Sequence, residues 1–293
     1  MKNKNVKKVL ILGGDGMFAY EMFNALKKDK QFEPIPLSKK DLDITEKNKV
    51  LKYIIAQKPF AVVNTVGPAV DICDEDPEFA RKINVKAVKY CAIACNDIGA
   101  IFVHLSTCGL FGDKKRFYTE MDNVVLKTMY AKTKYEGEKI ALSNCDKTIV
   151  VRPGWMYGGS IMHKKNFVVN RLREFKGLDQ VSSAMDKFGN PTFSKDAAEA
   201  IRYLIKSGIV NKTFHLTNSG GGSRADYIES IIKFSGLKTK IERVDSSFFP
   251  RKSDVPDCEL LDNSYLDSMI DSPMRDWKVA LKEYINSLDL NLI

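Results

Sequence analysis

Short apolar runs alternate with longer amphipathic segments along the first half of the chain. Five runs have the length and composition of buried strands: residues 8–12, 32–37, 60–64, 100–106 and 148–152. Between them, apolar residues recur at helical spacing in residues 17–28, 45–57, 77–98 and 130–143. Strands that alternate with helices predict βαβ units, and right-handed crossovers place the helices on both faces of a parallel sheet.

The pattern is less regular after residue 158. Helical spacing continues in residues 166–175, 196–207, 224–235 and 275–287, and strand-like runs occupy residues 213–217 and 240–244. We therefore predict an α/β fold with a Rossmann-type, doubly wound parallel sheet and a smaller C-terminal substrate lobe. The predicted dinucleotide-binding domain is 1–158, with 185–218 returning to it, and the lobe comprises 159–184 and 219–293.

Composition and charge narrow the class of protein. The 293 residues are 44% hydrophobic and 28% charged, which is ordinary for a globular protein. No run of about 18 apolar residues predicts a membrane span, and the apolar stretch after the basic N-terminus runs directly into glycines, unlike a signal peptide. The net charge of +9 is scattered along the chain rather than clustered. We expect a cytoplasmic protein with no membrane or nucleic-acid partner.

Cysteine and histidine spacing gives no indication of a metal site. The six cysteines have no metal-type spacing, and the three histidines are far apart in sequence. His104 and His215 lie inside strand-like runs, where a packed histidine is the expected role. We expect reduced thiols and no catalytic metal.

A glycine-rich turn connects the first strand to the first helix. Gly13 and Gly16 are followed by Met17, Phe18 and Ala19 in the spacing Gly-x-x-Gly-x-x-Ala. Glycine lets the backbone approach a pyrophosphate closely, and the helix N-terminus supplies free N–H groups. The alternative is a tight turn without a ligand, but the surrounding βαβ pattern favours a dinucleotide site.

The end of the second strand bears on which nicotinamide cofactor binds. An acidic residue directly at this position favours the ribose 2′-hydroxyl of NAD. Here Ser38, Lys39 and Lys40 come first, and cations suit a 2′-phosphate. We predict NADP, with NAD possible and with two solvated lysines as the alternative interpretation. Asp43 is a candidate for contact with the adenine edge.

Tyr130 and Lys134 are the most specific candidates for catalytic residues in the sequence. Residues four apart share a helix face, so the phenol and the ammonium can project together. A nearby ammonium is expected to lower the pKa of the phenol and make it a proton donor or acceptor near neutral pH. Thr107 follows the fourth predicted strand, at the edge where ligands bind in open α/β sheets. Its hydroxyl, or as the less favoured alternative that of Ser106, can polarise a substrate carbonyl.

Segments spread over most of the chain resemble the extended short-chain dehydrogenases, and among them the dTDP-4-dehydrorhamnose reductase family. They include VLILGGDGMFA (9–19), VVNTVGPAVDICDEDPEFARKIN (62–84), FVHLSTCGLFG (102–112), YAKTKYEGEK (130–139), VVRPGWMYG (150–158), DKFGNPTFSKDAA (186–198) and FHLTNSGGGS (214–223). The resemblance implies NADPH-dependent reduction of a 4-keto group on a nucleotide-linked deoxysugar, with a nucleotide sugar as partner and a homodimer as a possible assembly.

The resemblance also implies roles for individual residues. Thr107, Tyr130 and Lys134 would be catalytic, and Asn84 would support the active-site backbone. The cofactor would contact Gly13, Gly16, Met17, Phe18, Ser38, Lys39, Asp43, Asn64, Thr65, Val66, Gly67, Lys134 and Arg152. The sugar would contact Asp71, Thr107, Cys108 and Trp155, with Trp155 stacking on it.

Some positions depart from the family pattern. Cys108 and Gly109 stand where an acidic and an aromatic residue are usual, so a different keto-sugar nucleotide is a plausible substrate. The alternatives are a sugar-nucleotide epimerase or dehydratase on the same fold and a non-catalytic NADP-binding regulatory subunit. A dehydratase usually needs an acid pair after the threonine, which this sequence lacks, and an intact Thr107, Tyr130 and Lys134 argues against a non-catalytic protein.

Overall fold

The computed structural model describes residues 6–271 and 274–293. The N-terminal half follows the predicted alternation of strands and helices. Its strands are β1 (Lys7–Leu12), β2 (Phe32–Leu37), β3 (Ala61–Asn64), β4 (Ile101–Leu105) and β5 (Thr148–Pro153). Its helices are α1 (Met17–Lys27), α2 (Lys47–Gln57), α3 (Val70–Glu75), α4 (Pro77–Arg81), α5 (Val88–Asp97) and α6 (Met129–Asn144).

Shorter strands dominate the remainder. They are β6 (Trp155–Tyr157), β7 (Gln180–Ala184), β8 (Phe188–Gly189), β9 (Pro191–Phe193), β10 (Lys212–Leu216), β11 (Gly222–Ser223), β12 (Lys240–Val244) and β13 (Cys258–Glu259). The helices are α7 (Phe167–Phe175), α8 (Ser194–Ser207), α9 (Arg224–Ser235), α10 (Ser264–Met269) and α11 (Trp277–Asn286). Single 3₁₀ turns occupy Ser246–Phe248 and Leu290–Leu292.

Six parallel strands form the central sheet in the order β10-β5-β4-β3-β1-β2. The strand order reverses between β1 and β3, because β1 leads outward to β2 and the chain then returns to the opposite side. Open α/β sheets bind ligands at such a switch point, outside the carboxyl ends of the strands. The predicted fold class is confirmed.

Alternating residues of β1 show how helices cover both faces of the sheet. Val9 and Ile11 pack in one core cluster with residues of α1 and α8. Leu10 and Leu12 pack in a second cluster with residues of α2 and α5. Strands buried on both faces are expected to be continuously apolar, as this run is. The result is a rigid frame that holds the carboxyl ends of β1, β3 and β4 together.

The predicted long helix over residues 77–98 contains an irregularity. Between α4 and α5 the chain forms a π-helical turn, Lys82–Ala87, which the hydrophobic spacing did not predict. Asn84 lies in this turn, and its amide donates a 2.9 Å hydrogen bond to Thr133 Oγ1 on α6. The turn thus connects directly to the helix that carries Tyr130 and Lys134. Helix α3, which precedes it, was also not predicted.

Three small sheets build the C-terminal region: β11-β8-β13, β12-β7 and β6-β9. Its core cluster is rich in aromatic residues, among them Trp155, Tyr157, Tyr227, Trp277 and Tyr284. The segment 194–216 instead joins the central sheet, since β10 pairs with β5 and α8 packs on α1. Within residues 6–271 and 274–293, no helix is long and apolar enough to cross a membrane.

Candidate active site

The glycine turn lies at the switch point of the sheet. Gly13 has a φ of +83° and donates its N–H to Leu37 O at the end of β2. A Cβ atom at Gly13 would lie 2.9 Å from Thr65 Oγ1 and 3.1 Å from Val66 Cγ2, so a side chain there is excluded by both space and backbone conformation. Gly16 begins α1 without a side-chain cap. Free N–H groups at the start of this helix are a ready site for a phosphate.

Residues of the first turn of α1 differ in what they can offer a ligand. The Phe18 side chain is buried in the core of the sheet, so only its backbone N–H can face a pyrophosphate. The Met17 side chain is half-buried and lies beside Gly159, which follows β6. The glycine turn is therefore bordered by the C-terminal region as well as by the sheet.

The turn after β2 is held by its own hydrogen bonds. Ser38 Oγ donates to Asp41 Oδ2 at 2.7 Å. Lys39 is exposed, and its ammonium lies 3.8 Å from Asp43 Oδ2. Asp43 Oδ1 also accepts hydrogen bonds from Thr45. Lys39 therefore remains available to bind a phosphate, because an exposed ion pair contributes little free energy and is easily given up.

The end of β3 faces both the glycine turn and α6, the helix that carries Tyr130 and Lys134. Thr65 Oγ1 donates to Leu12 O at 2.7 Å, and Val66 N donates to Asn64 Oδ1 at 3.2 Å. Asn64 Nδ2 lies 3.4 Å from His104 Nδ1. Burial lowers the pKa of His104 well below its ordinary value, so the imidazole is neutral. These bonds fix the loop from Asn64 to Gly67 as one wall of the cleft.

Tyr130 and Thr107 come together at the carboxyl end of β4. Burial raises the pKa of the Tyr130 phenol, while a hydrogen bond with the Thr107 hydroxyl acts in the opposite direction. The expectation that the phenol's pKa is lowered is therefore wrong for the protein alone, because desolvation of the phenolate is the larger effect. A raised pKa keeps the phenol protonated at neutral pH. Tyr130 therefore carries the proton that an acid in the reaction would donate, and a positive charge beside it would be needed to make that proton easier to give up.

Lys134 lies one helical turn beyond Tyr130, inside the protein. The residue is 3% exposed, and its ammonium donates to the carbonyl oxygen of Leu105. Burial lowers its pKa to about 8, and the charge of Glu138 opposes that shift. A Cβ atom at Gly67 would lie 3.7 Å from the Lys134 Nζ atom. The ammonium is therefore positioned between β4 and the wall formed by the end of β3.

Arg152, at the end of β5, is bound by an acid that the sequence reasoning did not single out. Its Nε and Nη2 atoms donate to Glu138 Oε1 and Oε2 at 2.9 and 2.7 Å. Both side chains are buried. Glu138 lies four residues after Lys134, so the same spacing that links Tyr130 to Lys134 could have revealed it. The two-bond ion pair directs the Arg152 guanidinium to α6.

Trp155, the first residue of β6, lies at a cavity in the C-terminal region. Its indole N–H donates to Glu259 Oε2 at 2.6 Å, and the guanidinium of Arg224 lies 3.4 Å from its ring centroid. Gly189 also lies against the indole ring, because a Cβ atom at this position would come within 2.8 Å of three ring atoms. Trp155, Arg224 and Glu259 line a cavity of about 1090 Å³ between the C-terminal strands and the segment 245–256. Sequence reasoning missed both Arg224 and Glu259, which lie far from Trp155 along the chain.

The predicted sugar-binding residues Asp71 and Cys108 lie at different places. Ser253 donates to Asp71 Oδ1 at 2.9 Å, which ties the loop after β12 to α3. Cys108 is buried, and its thiol donates to Glu259 Oε1 at 3.6 Å. Cys108 thus adjoins Thr107 and the cavity, whereas Asp71 lies where the C-terminal loop meets the dinucleotide half.

Comparison with known proteins decides the family. A profile of the RmlD substrate-binding domain matches residues 7–290. The chain belongs to the RmlD substrate-binding domain family. Within the described residues there is no cluster of three or more His, Cys, Asp or Glu side chains that could hold a metal ion.

Individual relatives extend this RmlD family assignment over the full length. The spore coat polysaccharide biosynthesis protein SpsK of Bacillus subtilis is 31% identical, and the match covers 95% of this chain and 96% of SpsK. The dTDP-4-dehydrorhamnose reductase of Aggregatibacter actinomycetemcomitans is 28% identical over 94% of this chain and 97% of its own. The resemblance predicted from the motifs is therefore confirmed, as is the predicted enzyme class, an oxidoreductase on the extended short-chain dehydrogenase scaffold.

Solved structures agree with the RmlD family assignment. A dTDP-4-dehydrorhamnose reductase from Clostridium acetobutylicum superposes with a TM-score of 0.89 at 35% identity, covering 95% of this chain and 98% of its own. A dTDP-4-dehydrorhamnose reductase from Bacillus anthracis, in complex with NADP, gives a TM-score of 0.91 at 25% identity and covers 97% of this chain and all of its own.

Proposed function

We propose that this protein is an NADPH-dependent reductase of a 4-keto group on a nucleotide-linked deoxysugar. The observation that carries the proposal is that Thr107, Tyr130 and Lys134 lie at the edge of the sheet that also carries an uncapped, glycine-rich helix start. Cys108, next to Thr107, contacts Glu259, which lines a cavity of about 1090 Å³. The RmlD family and the relatives named dTDP-4-dehydrorhamnose reductase support the same reaction and substrate class.

The residues present fit a nicotinamide dinucleotide. The pyrophosphate would lie at the N-terminus of α1, over Gly13, Gly16 and the N–H groups of Met17 and Phe18, because that end has no cap of its own. Ser38, Lys39 and Asp43 would hold the adenosine end, with Lys39 exchanging Asp43 for a 2′-phosphate. The loop of Asn64, Thr65, Val66 and Gly67 would form the wall beside the nicotinamide half. The bound NADPH supplies a hydride.

Tyr130 would act as the acid of the reduction. Its pKa is raised by burial, so the phenol carries a proton at neutral pH and can donate it to the oxygen of the former ketone. The Thr107 hydroxyl, in hydrogen-bonding contact with the phenol, would hold that oxygen as negative charge develops. Lys134 would bind a ribose hydroxyl with the N–H bonds that Leu105 does not use.

Arg152 would have a positioning role. Because its guanidinium is bound by Glu138 through two hydrogen bonds, it would fix α6, and with it Lys134, against β5. Direct contact of Arg152 with the cofactor stays a prediction, because Glu138 accepts only from its Nε and Nη2 atoms. Asn84 would act similarly from the π turn, through Thr133.

The cavity would take the nucleotide sugar. Trp155 would border the sugar next to Cys108 with the part of its ring that Arg224 and Gly189 leave uncovered, and Arg224 would place a positive charge near the anionic diphosphate. Asp71 would act at the rim through its bond to Ser253. We further propose that 1–158 with 185–218 and 159–184 with 219–293 form two lobes around this cleft, that the chain forms a homodimer and that it works in the cytoplasm.

A substrate panel tests the proposal. Nucleotide-linked 4-keto-6-deoxysugars with different bases are each offered with NADPH and with NADH, and cofactor oxidation is followed by absorbance. Steady consumption of NADPH with at least one sugar is expected. Interconversion of sugars without net oxidation of cofactor would overturn the reductase in favour of an epimerase. Light scattering of the purified protein tests the homodimer.

A further inference from the structure

Glu259 reaches the active site from the end of β13, far from the catalytic residues in sequence. Strand β13 pairs with β8, which sets Glu259 opposite Gly189. The buried Asn190 fixes the surrounding backbone: its Oδ1 accepts from Leu261 N at 2.8 Å, and its carbonyl accepts from Trp155 N at 2.8 Å. The backbone next to Glu259 and the backbone of Trp155 are therefore both held by Asn190, the first through its side chain and the second through its carbonyl.

Both carboxylate oxygens of Glu259 have protein partners. Oε2 accepts the indole N–H of Trp155 at 2.6 Å, and Oε1 accepts the thiol of Cys108 at 3.6 Å. Arg224, which stacks on Trp155, places a positive charge close enough to interact with the carboxylate. The carboxylate is thus held in one position by contacts on two sides.

Gly109 provides the space into which this carboxylate fits. A Cβ atom at position 109 would lie 3.0 Å from Glu259 Oε1 and 3.6 Å from Thr107 Oγ1. Any side chain there would press on the carboxylate. The absence of a side chain at Gly109, which departs from the family pattern, is therefore matched by the Glu259 carboxylate, which occupies the place next to Thr107.

The carboxylate still has capacity to bind. An ionised carboxylate offers about four lone-pair positions, and the protein uses one on each oxygen. Glu259 lines the cavity of about 1090 Å³ together with Trp155 and Arg224. Its charge is also among those that raise the pKa of Tyr130, which locates it near the proton donor rather than at the far end of the cavity.

We infer that Glu259 binds a hydroxyl group on the ring carbon next to the ketone of the sugar, and that this contact determines which keto-sugars are reduced. The inference rests on the proposed function. Thr107 and Tyr130 would hold the ketone oxygen, and Glu259 lies beside Thr107. Of the two carbons that flank C4 in a 6-deoxysugar, only C3 carries a hydroxyl, so the 3-hydroxyl is the donor within reach. An anionic substituent would be repelled from this place.

A pair of substrates tests the inference. Two nucleotide-linked 4-keto-6-deoxysugars, with and without the 3-hydroxyl, are compared in the unmodified protein, Glu259→Ala and Glu259→Gln. For Glu259→Ala, kcat/KM should fall by about 10- to 100-fold with the 3-hydroxy sugar, the range for a hydrogen bond to a charged group, and by less than about 3-fold with the 3-deoxy sugar. Glu259→Gln should lie between, because the amide oxygen still accepts.

The ratio of the two substrates separates recognition from structural damage. Equal losses with both sugars, or no loss with either, would overturn the inference. Glu33→Gln, an exposed change on β2, is the matched control and should leave both sugars unaffected. Gly109→Ala should reproduce the selective loss, and in the Glu259→Ala background it should add little, since both changes remove the same contact.

Binding measurements keep the inference distinct from the proposed reaction. Calorimetry with the corresponding 4-hydroxy sugar nucleotides needs no turnover. If the unmodified protein reduces neither ketone, the proposed function fails. The inference then fails as well unless Glu259→Ala weakens binding of the 3-hydroxy compound by about 10-fold or more while leaving the 3-deoxy compound unchanged.

Discussion

Arg152 and Glu138 form a two-bond ion pair in the interior, with N–O distances of 2.9 and 2.7 Å, one helical turn beyond Lys134. The side chains are only 6% and 3% exposed, so neither charge has water as a substitute partner. The pair joins β5 to α6. It therefore couples the sheet to the helix that presents the proton donor.

Removing one member of this pair should be costly. Arg152→Met leaves the Glu138 carboxylate buried without its partner, and the free energy of unfolding in urea should fall by about 3–5 kcal/mol. Arg152→Met combined with Glu138→Met should recover most of that loss, because no unpaired charge remains. Arg243, which is exposed and pairs with both Asp226 and Glu229, is the control, with an expected loss below about 1 kcal/mol for Arg243→Met. Equal losses in the single and double Arg152 variants would contradict this account.

Tyr130→Phe should abolish most turnover while leaving the cofactor site intact. The change removes one oxygen and the proton it would donate, so kcat should fall by about 10²- to 10⁴-fold. NADPH binding, followed by cofactor fluorescence, should change by less than about 2-fold, because the proposed cofactor contacts lie elsewhere. Substantial remaining turnover would contradict the role of Tyr130 as the acid.

The buried ammonium of Lys134 predicts a pH dependence. Its pKa is lowered to about 8, so the ammonium is charged below that pH and loses its charge as the pH rises through it. The value of kcat/KM for NADPH reports groups of the free enzyme and should therefore decline above about pH 8. Tyr130 cannot cause this decline, because its pKa is shifted upward.

Lys134→Arg provides the check on that assignment. A guanidinium keeps its charge over the whole accessible pH range, so the decline above about pH 8 should disappear, although overall activity will be lower. If the decline persists in Lys134→Arg, another group causes it.

Lys39→Ala tests the cofactor preference. Because Lys39 is exposed and weakly paired with Asp43 at 3.8 Å, its loss should affect the ligand more than the fold. KM for NADPH should rise by about 10-fold, the effect of about 1.4 kcal/mol, while KM for NADH should hardly change. Lys30→Ala, an exposed change on the surface, should alter neither value. Similar use of both cofactors by the unmodified protein would refute the prediction of NADP.

Local sequence patterns were sufficient to predict the parallel sheet and the order of strands and helices along the chain. The apolar run of β1, the glycine turn and the helix after it are consecutive in sequence, so their geometry follows from spacing alone. The same holds for Tyr130 and Lys134 on α6. By contrast, the π turn at Asn84 was not predictable, because residues 77–98 have helical spacing throughout, and contact with α6 decides where the extra residue is accommodated.

The sequence alone therefore determined a dinucleotide-type α/β fold, the family, and the placement of Tyr130 and Lys134 on one helix face. The fold and the helix face follow from local spacing, and the family follows from the order of motifs along the chain. The tertiary structure decided what surrounds them. It half-buries Tyr130, and the resulting desolvation of the phenolate raises the pKa that the sequence predicted to fall. It binds Arg152 to Glu138. It also brings Glu259 across 152 positions of chain to Thr107 (259 − 107), filling the space left by Gly109. Desolvation and long-range packing have no local signature, because they arise only when distant segments meet.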